Sequence, residues 1–119
     1  MHQVLIVDDD HDLALLIYEK LKSIGECVLS ISGYEAINLL KTNTFDLVIS
    51  DYNMHDGDGA SLAHFCVNQG IQIVVVSSFP ENHIRPYLPD SVPFLNKFAA
   101  LRGNILENLI REKLESKPA

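Results

Sequence analysis

Residues 45–54 read Phe45-Asp46-Leu47-Val48-Ile49-Ser50-Asp51-Tyr52-Asn53-Met54. A short run that is rich in valine and isoleucine and closes on polar residues is typical of a strand buried inside a parallel sheet. Asp51 would lie where this strand ends. Because ligands of open parallel sheets bind in the crevice outside the carboxyl ends of the strands, we interpret Asp51 as part of a functional site.

Further buried strands are predicted, and each is followed by polar side chains. Residues 4–7 lead into Asp8, Asp9 and Asp10, residues 73–76 into Ser77 and Ser78, and residues 92–96 into Lys97. Carboxylates gathered in one crevice repel one another, which raises their pKa unless a cation lies among them. Mg2+ is usually held by carboxylates with phosphate oxygens and water, and a carboxylate can itself form an aspartyl phosphate. Together these groups predict a phosphoryl-transfer site.

In this order, each at a strand end, the motifs resemble the receiver domain of bacterial two-component response regulators over essentially the whole chain. The resemblance implies that Asp8, Asp9 and Asp51 hold Mg2+ and that Asp51 also accepts the phosphoryl group. It implies that Asn53 binds the metal through its backbone carbonyl. The pair Asp58-Gly59 fits the family's turn into the third helix.

The resemblance also assigns roles to the last two strands. Ser77 stands at the family's switch hydroxyl, Phe94 at its switch aromatic, and Lys97 at the lysine that bonds the phosphoryl group. The chain departs from the family where His55 occupies a usual proline position. It departs again at Phe98, which follows the lysine where the family has a proline after a cis peptide bond.

The resemblance implies that the protein is a signalling phosphoacceptor rather than an enzyme. Such a protein catalyses only its own phosphorylation and dephosphorylation. Its partners would be a sensor histidine kinase or a histidine phosphotransfer protein and a downstream protein target. The alternative is a degenerate receiver that acts as a phosphorylation-independent protein-binding module, motivated by the Lys97-Phe98 junction and the prolines within 79–90. A hydrolase with an aspartate nucleophile would need an acid where Asn53 stands.

Composition restricts the remaining function classes. The formal net charge is −7 and the 9 basic residues are spread thinly, which argues against a nucleic-acid face. No signal peptide or membrane-spanning stretch is visible, so we expect a cytoplasmic protein without membrane contact, as a monomer or weak dimer. Cys27 and Cys66 have no metal-binding spacing and are expected to be reduced core residues.

Strand and helix patterns alternate along the chain, which predicts a flavodoxin-like doubly wound five-stranded parallel sheet in the order 2-1-3-4-5, with five helices. We expect a receiver domain over residues 1–115 and a tail or linker stub over 116–119. Residues 27–32 are the predicted strand nearest a sheet edge.

Helix signals give approximate bounds. The predicted first helix is capped by Asp10 and closed by Gly25. The second is predicted from Gly33 to about Thr42, and the third from Ala60 to about Asn68, with Gly70 after it. The last is predicted from about Ala99 to Glu115. Prolines make the fourth, within 79–90, short or irregular. The predicted buried face of the last helix is Leu101, Ile105, Leu106, Leu109, Ile110 and Leu114. Histidines 11, 55, 64 and 83 are expected at the surface, with His55 near the site.

Overall fold

The computed structural model describes residues 2–54 and 59–115. His55, Asp58 and the expected tail at 116–119 therefore lie outside the described residues. Within the described part of the chain, the strands form one five-stranded parallel sheet in the order β2-β1-β3-β4-β5. This is the flavodoxin-like topology that the alternating strand and helix patterns predict.

The strands are β1 Gln3–Val7, β2 Glu26–Ser30, β3 Leu47–Asp51, β4 Ile73–Ser77 and β5 Phe94–Asn96. The helices are α1 His11–Leu21, α2 Gly33–Thr42, α3 Gly59–Asn68, α4 Glu81–Ile84, α5 Lys97–Ala100 and α6 Ile105–Glu115, with a 3-10 turn at Arg85–Tyr87. No helix among the described residues is long and apolar enough to cross a bilayer.

Two apolar clusters hold the helices on opposite faces of the sheet. Side chains from β1 alternate between them: Leu5 and Val7 join α2 and α3 on one face, whereas Val4 and Ile6 join α1 and α6 on the other. The strands at the centre of the sheet, β3 and β4, are buried along their whole length. Burial on both faces explains why these strands are nearly continuous apolar runs rather than alternating ones.

The register of the sheet places its carboxyl ends side by side. Val7 of β1 pairs with Ser50 of β3, and Asp51 pairs with Val76 of β4. Ser77 pairs in turn with Asn96, the last residue of β5. The residues that follow or end these strands therefore meet at one edge of the sheet, as expected for parallel strands.

The end of α1 differs from the prediction. The helix stops at Leu21, with Lys22 as its C-cap, so Gly25 does not close it. Among the described residues only Gly70 and Gly103 have a positive φ. Gly25 is instead required by a close approach, because a Cβ at this position would lie 2.8 Å from the carbonyl oxygen of His2.

The predicted last helix is also corrected. It consists of α5 and α6, separated by residues 101–104, where Gly103 has a φ of +48°. Ile105 is the first residue of α6 after this break, and it is 48% exposed although the pattern placed it on the buried face. Leu106, Ile110 and Leu114 are buried as predicted. Lys20 of α1 bonds the carbonyl oxygen of Gly103 at 3.1 Å, which holds the break against the first helix.

The remaining helix predictions are confirmed. Gly70 follows α3 with a φ of +71°, the conformation that glycine adopts most readily. The helix α4 is a single turn after Pro80, and the chain then tightens into the 3-10 turn that contains Pro86. The guanidinium of Arg85 spans this short segment, donating to Glu81 at 2.7 Å and to the carbonyl oxygen of Val92 at 2.8 Å.

Candidate functional site

Three carboxylates meet at the carboxyl edge of the sheet. Asp8 directly follows β1, Asp9 is its neighbour, and Asp51 ends β3. One carboxylate oxygen from each side chain lies within 4.8 Å of the others. Asp8 is 2% exposed and Asp51 is 8% exposed, so the cluster is set into the surface rather than displayed on it. The structure thus brings together the acids that the sequence predicted to share a crevice.

The backbone around Asp8 fixes the direction of its side chain. The amide of Asp8 donates to the carbonyl oxygen of Ser30 on β2 at 3.0 Å, which anchors the residue to the sheet. Its Oδ1 accepts from the amide of Asp10 at 2.9 Å. The side chain of Asp10 points elsewhere and accepts from the amides of Asp12 and Leu13, so Asp10 caps α1 as predicted.

Lys97 provides a positive charge for this cluster. Its Nζ lies 3.3 Å from Oδ1 of Asp51 and 3.6 Å from Oδ2 of Asp8, and the side chain is only 15% exposed. The residue after it is Phe98 rather than proline, and every described peptide bond is trans. The lysine is nonetheless positioned to bridge two of the three acids.

The pKa values of the two buried acids reflect this crowding. Burial raises the pKa of Asp8 and of Asp51, and repulsion from neighbouring carboxylates raises both further. Lys97 opposes the shift in both cases, and backbone hydrogen bonds from Asp10 and Asn53 lower the pKa of Asp8 and Asp51 respectively. One ammonium group therefore does not offset the burial and repulsion of these acids.

The donor set fits a hard divalent cation. All three side chains offer oxygen, which Mg2+ prefers, and a cation among them would relieve their mutual repulsion. Mg2+ is commonly bound by a few carboxylates while it keeps several waters. The carbonyl of Asn53 as a further ligand stays a prediction.

The predicted switch residues lie on the last two strands of the sheet, β4 and β5. Ser77 is fully buried at the end of β4, and its Oγ accepts from the amide of Phe79 at 3.0 Å. Phe94 begins β5, is partly buried, and packs against the cluster that α2 and α3 form on the sheet. Their roles in switching stay predictions.

The other titratable residues singled out in the sequence are histidines and cysteines. His11 and His83 are exposed, and Nε2 of His64 lies 3.1 Å from the carbonyl oxygen of Tyr87. Both cysteines are free thiols. Cys66 is buried and Cys27 is half-buried, in agreement with the prediction of reduced core residues.

Sequence reasoning missed Asn96. This residue ends β5, and its Oδ1 accepts from the amides of Phe98 and Ala99. An asparagine directly before an apolar helical run is a recognised N-cap signal. The signal was present in the sequence but lay beside Lys97, and the last helix was expected to begin only at about Ala99.

The chain resembles known proteins both in sequence and in structure. The family model described as "Response regulator receiver domain" matches residues 4–88, which is most of the chain but ends before Lys97. Sensor histidine kinase RcsC of Salmonella typhimurium is 35% identical over 74 residues, which are 61% of this chain and 8% of that protein. Sensor histidine kinase GacS of Pseudomonas protegens is 43% identical over 58 residues, 48% of this chain and 6% of that protein. The chain thus matches only a small part of each curated relative.

Solved structures share the fold along the whole chain. A two-component response regulator from Clostridium difficile superposes with a TM-score of 0.87 at 24% identity, covering 100% of both chains. A Francisella response regulator receiver domain gives a TM-score of 0.81 at 25% identity, covering 97% of this chain and 98% of that one. The likeness extends through α5 and α6, beyond the residues that the family model matches.

Proposed function

This chain belongs to the response regulator receiver domain family, and on that premise we propose that Asp51 accepts a phosphoryl group from a phosphohistidine. The observation that carries the proposal is the position of Asp51 at the end of β3, 3.3 Å from Lys97 and grouped with Asp8 and Asp9. The donor would be a sensor histidine kinase or a histidine phosphotransfer protein. Matches to proteins named sensor histidine kinases support a donor of this class.

In the proposed reaction, a carboxylate oxygen of Asp51 forms a bond to phosphorus as the bond from phosphorus to the donor imidazole nitrogen breaks. The leaving imidazole keeps the electron pair of that bond. Asp8 and Asp9, with Asp51 and the backbone carbonyl of Asn53, would hold Mg2+. When bound, Mg2+ would offset negative charge on the transferring group.

Lys97 and Ser77 would bind the product. The phosphoryl group adds nearly two negative charges, and hydrogen bonds to charged groups each contribute about 1.5–3 kcal/mol. The ammonium of Lys97 already lies against Asp51, so it can donate to a phosphoryl oxygen with little movement. The hydroxyl of Ser77 can donate its own proton while it accepts from Phe79.

We infer that these bonds shift the conformational equilibrium of the segment after Ser77 and of Phe94. This shift would change the binding of a downstream protein target. The segment is suited to this role because it contains only one turn of α-helix and a 3-10 turn before β5. A charge-driven rearrangement of one such element is the usual form of a phosphorylation switch. The protein would act as a signalling phosphoacceptor whose only catalysis is its own phosphorylation and dephosphorylation.

Intact mass after brief exposure to acetyl phosphate tests the proposal. We expect one added phosphoryl group in Mg2+ and none with the metal chelated, since the acids must bind it for transfer. Asp51→Asn should take up no phosphoryl group. Asp12→Asn, an exposed acid on the first turn of α1, is the matched control and should be modified as the parent is.

The absence of an adduct has two possible causes, which beryllofluoride separates. A chain that hydrolyses its phosphate quickly would still bind beryllofluoride at Asp51, whereas a degenerate receiver would not. The family match that ends at Leu88, before the lysine, is the observation that favours a phosphorylation-independent binding module. Failure of both measurements would support that alternative.

A further inference from the structure

Asn96 joins the sheet to the helix that carries the lysine. Its backbone is the last of β5 and pairs with Ser77 of β4. Its side chain is the N-cap of α5, accepting from the amide of Phe98 at 2.9 Å and from the amide of Ala99 at 3.4 Å. One residue thus fixes both the strand before Lys97 and the helical turn after it.

The position of the Lys97 side chain depends on the backbone that Asn96 holds in place. A lysine side chain loses rotamer entropy when it is held in one arrangement. Here it reaches from the first residue of α5 to Asp51 at the end of β3, at 3.3 Å, and to Asp8 directly after β1, at 3.6 Å. Because α5 contains only four residues, any shift of its single turn would move the Cα of Lys97, from which the side chain extends.

We propose that Asn96 is a positioning residue for phosphoryl transfer, which acts by capping α5 so that Lys97 is directed at Asp51. The inference rests on the proposed function of Asp51. The cap requires an amide hydrogen at position 98, which a proline cannot supply and Phe98 does. The ring of Phe98 is 68% exposed, so its backbone rather than its side chain serves this role.

Alanine substitution tests the role of the cap. Asn96→Ala should slow phosphorylation by acetyl phosphate about fivefold, which is ~1 kcal/mol at 1.36 kcal/mol per factor of ten, the size of a typical N-cap. Asn96→Ser keeps a cap oxygen and should stay within about twofold of the parent. Phe98→Ala keeps the amide and should also react as the parent does.

A cap-matched control separates positioning from general loss of stability. Ser32 caps α2 by accepting from the amide of Glu35 at 3.0 Å, and α2 does not carry the lysine. Ser32→Ala should lower stability about as much as Asn96→Ala while leaving the rate of phosphorylation unchanged. Equal slowing by both substitutions would overturn the proposal.

A double substitution provides the strictest test. In a Lys97→Ala background, Asn96→Ala should slow the reaction no further, because the cap acts through the lysine. A further fivefold loss in that background would mean that Asn96 acts by another route. Asn96→Ala that reacts as fast as the parent would also reject the inference.

One measurement does not depend on phosphorylation. The NMR signal of the Lys97 ammonium should be observable in the parent, where two ion pairs slow its exchange with water, and should be lost in Asn96→Ala. A parent protein that takes up no phosphoryl group would contradict the proposed function. The NMR signal would still decide whether Asn96 holds the lysine, because an unchanged signal in Asn96→Ala would reject the inference.

Discussion

Asp51 is a buried acid whose environment opposes its own charge. Its pKa is raised because burial and the nearby Asp9 outweigh the attraction of Lys97. The folded chain therefore binds more protons than the unfolded chain between the unfolded pKa and the raised folded one. Stability from this group is fully present below the unfolded pKa and is lost as pH rises through the folded pKa. At neutral pH without metal, the ionised carboxylate destabilises the fold.

Asp51→Asn should accordingly stabilise the metal-free protein at pH 7. We expect this gain because asparagine carries no charge for burial and the neighbouring carboxylates to oppose. The gain should shrink as pH falls through the raised pKa of Asp51, where the parent carboxyl takes up its proton, and should be gone below the pKa of an unfolded aspartate, about 3.9. Urea denaturation with a chelator across this range measures it, and Asp90→Asn, an exposed acid, should show no such trend. A variant less stable than the parent at pH 7 would contradict the expected repulsion.

The cysteines should differ in reactivity towards iodoacetamide. Burial raises the pKa of the Cys66 thiol to about 12, and it raises the pKa of the half-buried Cys27 thiol as well. The thiolate is the reactive form, so in the native protein at pH 8 the first alkyl group should be added slowly, at Cys27. Mass spectrometry of Cys27→Ser should show almost no native labelling and one label in urea. Rapid native labelling of that variant would show that Cys66 is accessible.

At the scale of elements, the junction between α5 and α6 was not predictable from apolar spacing. Leu101, Ile105 and Leu109 recur every four residues across the break at 101–104, so the pattern favours one continuous helix. Gly103 and the bond from Lys20 to its carbonyl oxygen end that continuity. The pattern reports which residues face the core, whereas the backbone conformation at Gly103 determines where the helix is interrupted.

Gly103→Ala should destabilise the protein by about 1 kcal/mol, because alanine is strained at a φ of +48°. No other atom lies within 4 Å of the added Cβ, so the loss would come from backbone conformation alone. Gly103→Asn should lose less, since asparagine tolerates this conformation better. Urea denaturation compares the two variants. A loss for Gly103→Asn as large as that for Gly103→Ala, or larger, would contradict the role assigned to the backbone conformation.

Gly59→Ala should be more damaging than Gly103→Ala, for a different reason. A Cβ at Gly59, the first residue of α3, would lie 2.7 Å from the carbonyl oxygen of Asp51 and 2.7 Å from Cα of Tyr52. Backbone atoms cannot rotate away, so we expect a loss of about 2 kcal/mol or more. Denaturation together with the acetyl phosphate assay measures both stability and the site. A loss smaller than that of Gly103→Ala would contradict this close packing.

At the scale of the whole molecule, the parallel sheet makes one site from acids far apart in the sequence. Asp8 and Asp51 lie close together because β1 and β3 are neighbours in register, although the two residues are 43 positions apart in the sequence (51 − 8). A ligand held by both strands can bind only when the sheet is formed. Ligand binding is therefore expected to stabilise the entire fold.

Mg2+ should raise the thermal midpoint of the protein. At a metal concentration ten times Kd the added stability is about 1.4 kcal/mol, and it grows with the logarithm of concentration. Asp9→Ala should abolish this effect, because it removes one of the grouped carboxylates. Asp10→Asn, which keeps a cap on α1, should retain it. Thermal melts in magnesium and in chelator provide the measurement, and a shift that survives Asp9→Ala would exclude these acids as the metal site.

The sequence pattern predicted much of the architecture. Runs such as 73–76 are too apolar to be anything but buried strands, and their alternation with helical periods restricts the sheet to one common topology. The grouping of Asp8 with Asp51 followed from the same reasoning, because parallel strands end at one edge. The short α4 was also predicted, since proline excludes a longer helix there.

Local patterns in the chain predicted the kinds of elements and their order in the sheet. They also predicted that the acids meet at its carboxyl edge, because periodicity and strand direction are local properties of the chain. Tertiary structure alone decided the features that depend on distant backbone. Gly25 is required by the carbonyl oxygen of His2, the break at Gly103 is held by Lys20, and Lys97 reaches Asp51 across the sheet. Such contacts join residues whose spacing in the sequence carries no signal, so they become visible only when the strands are in register.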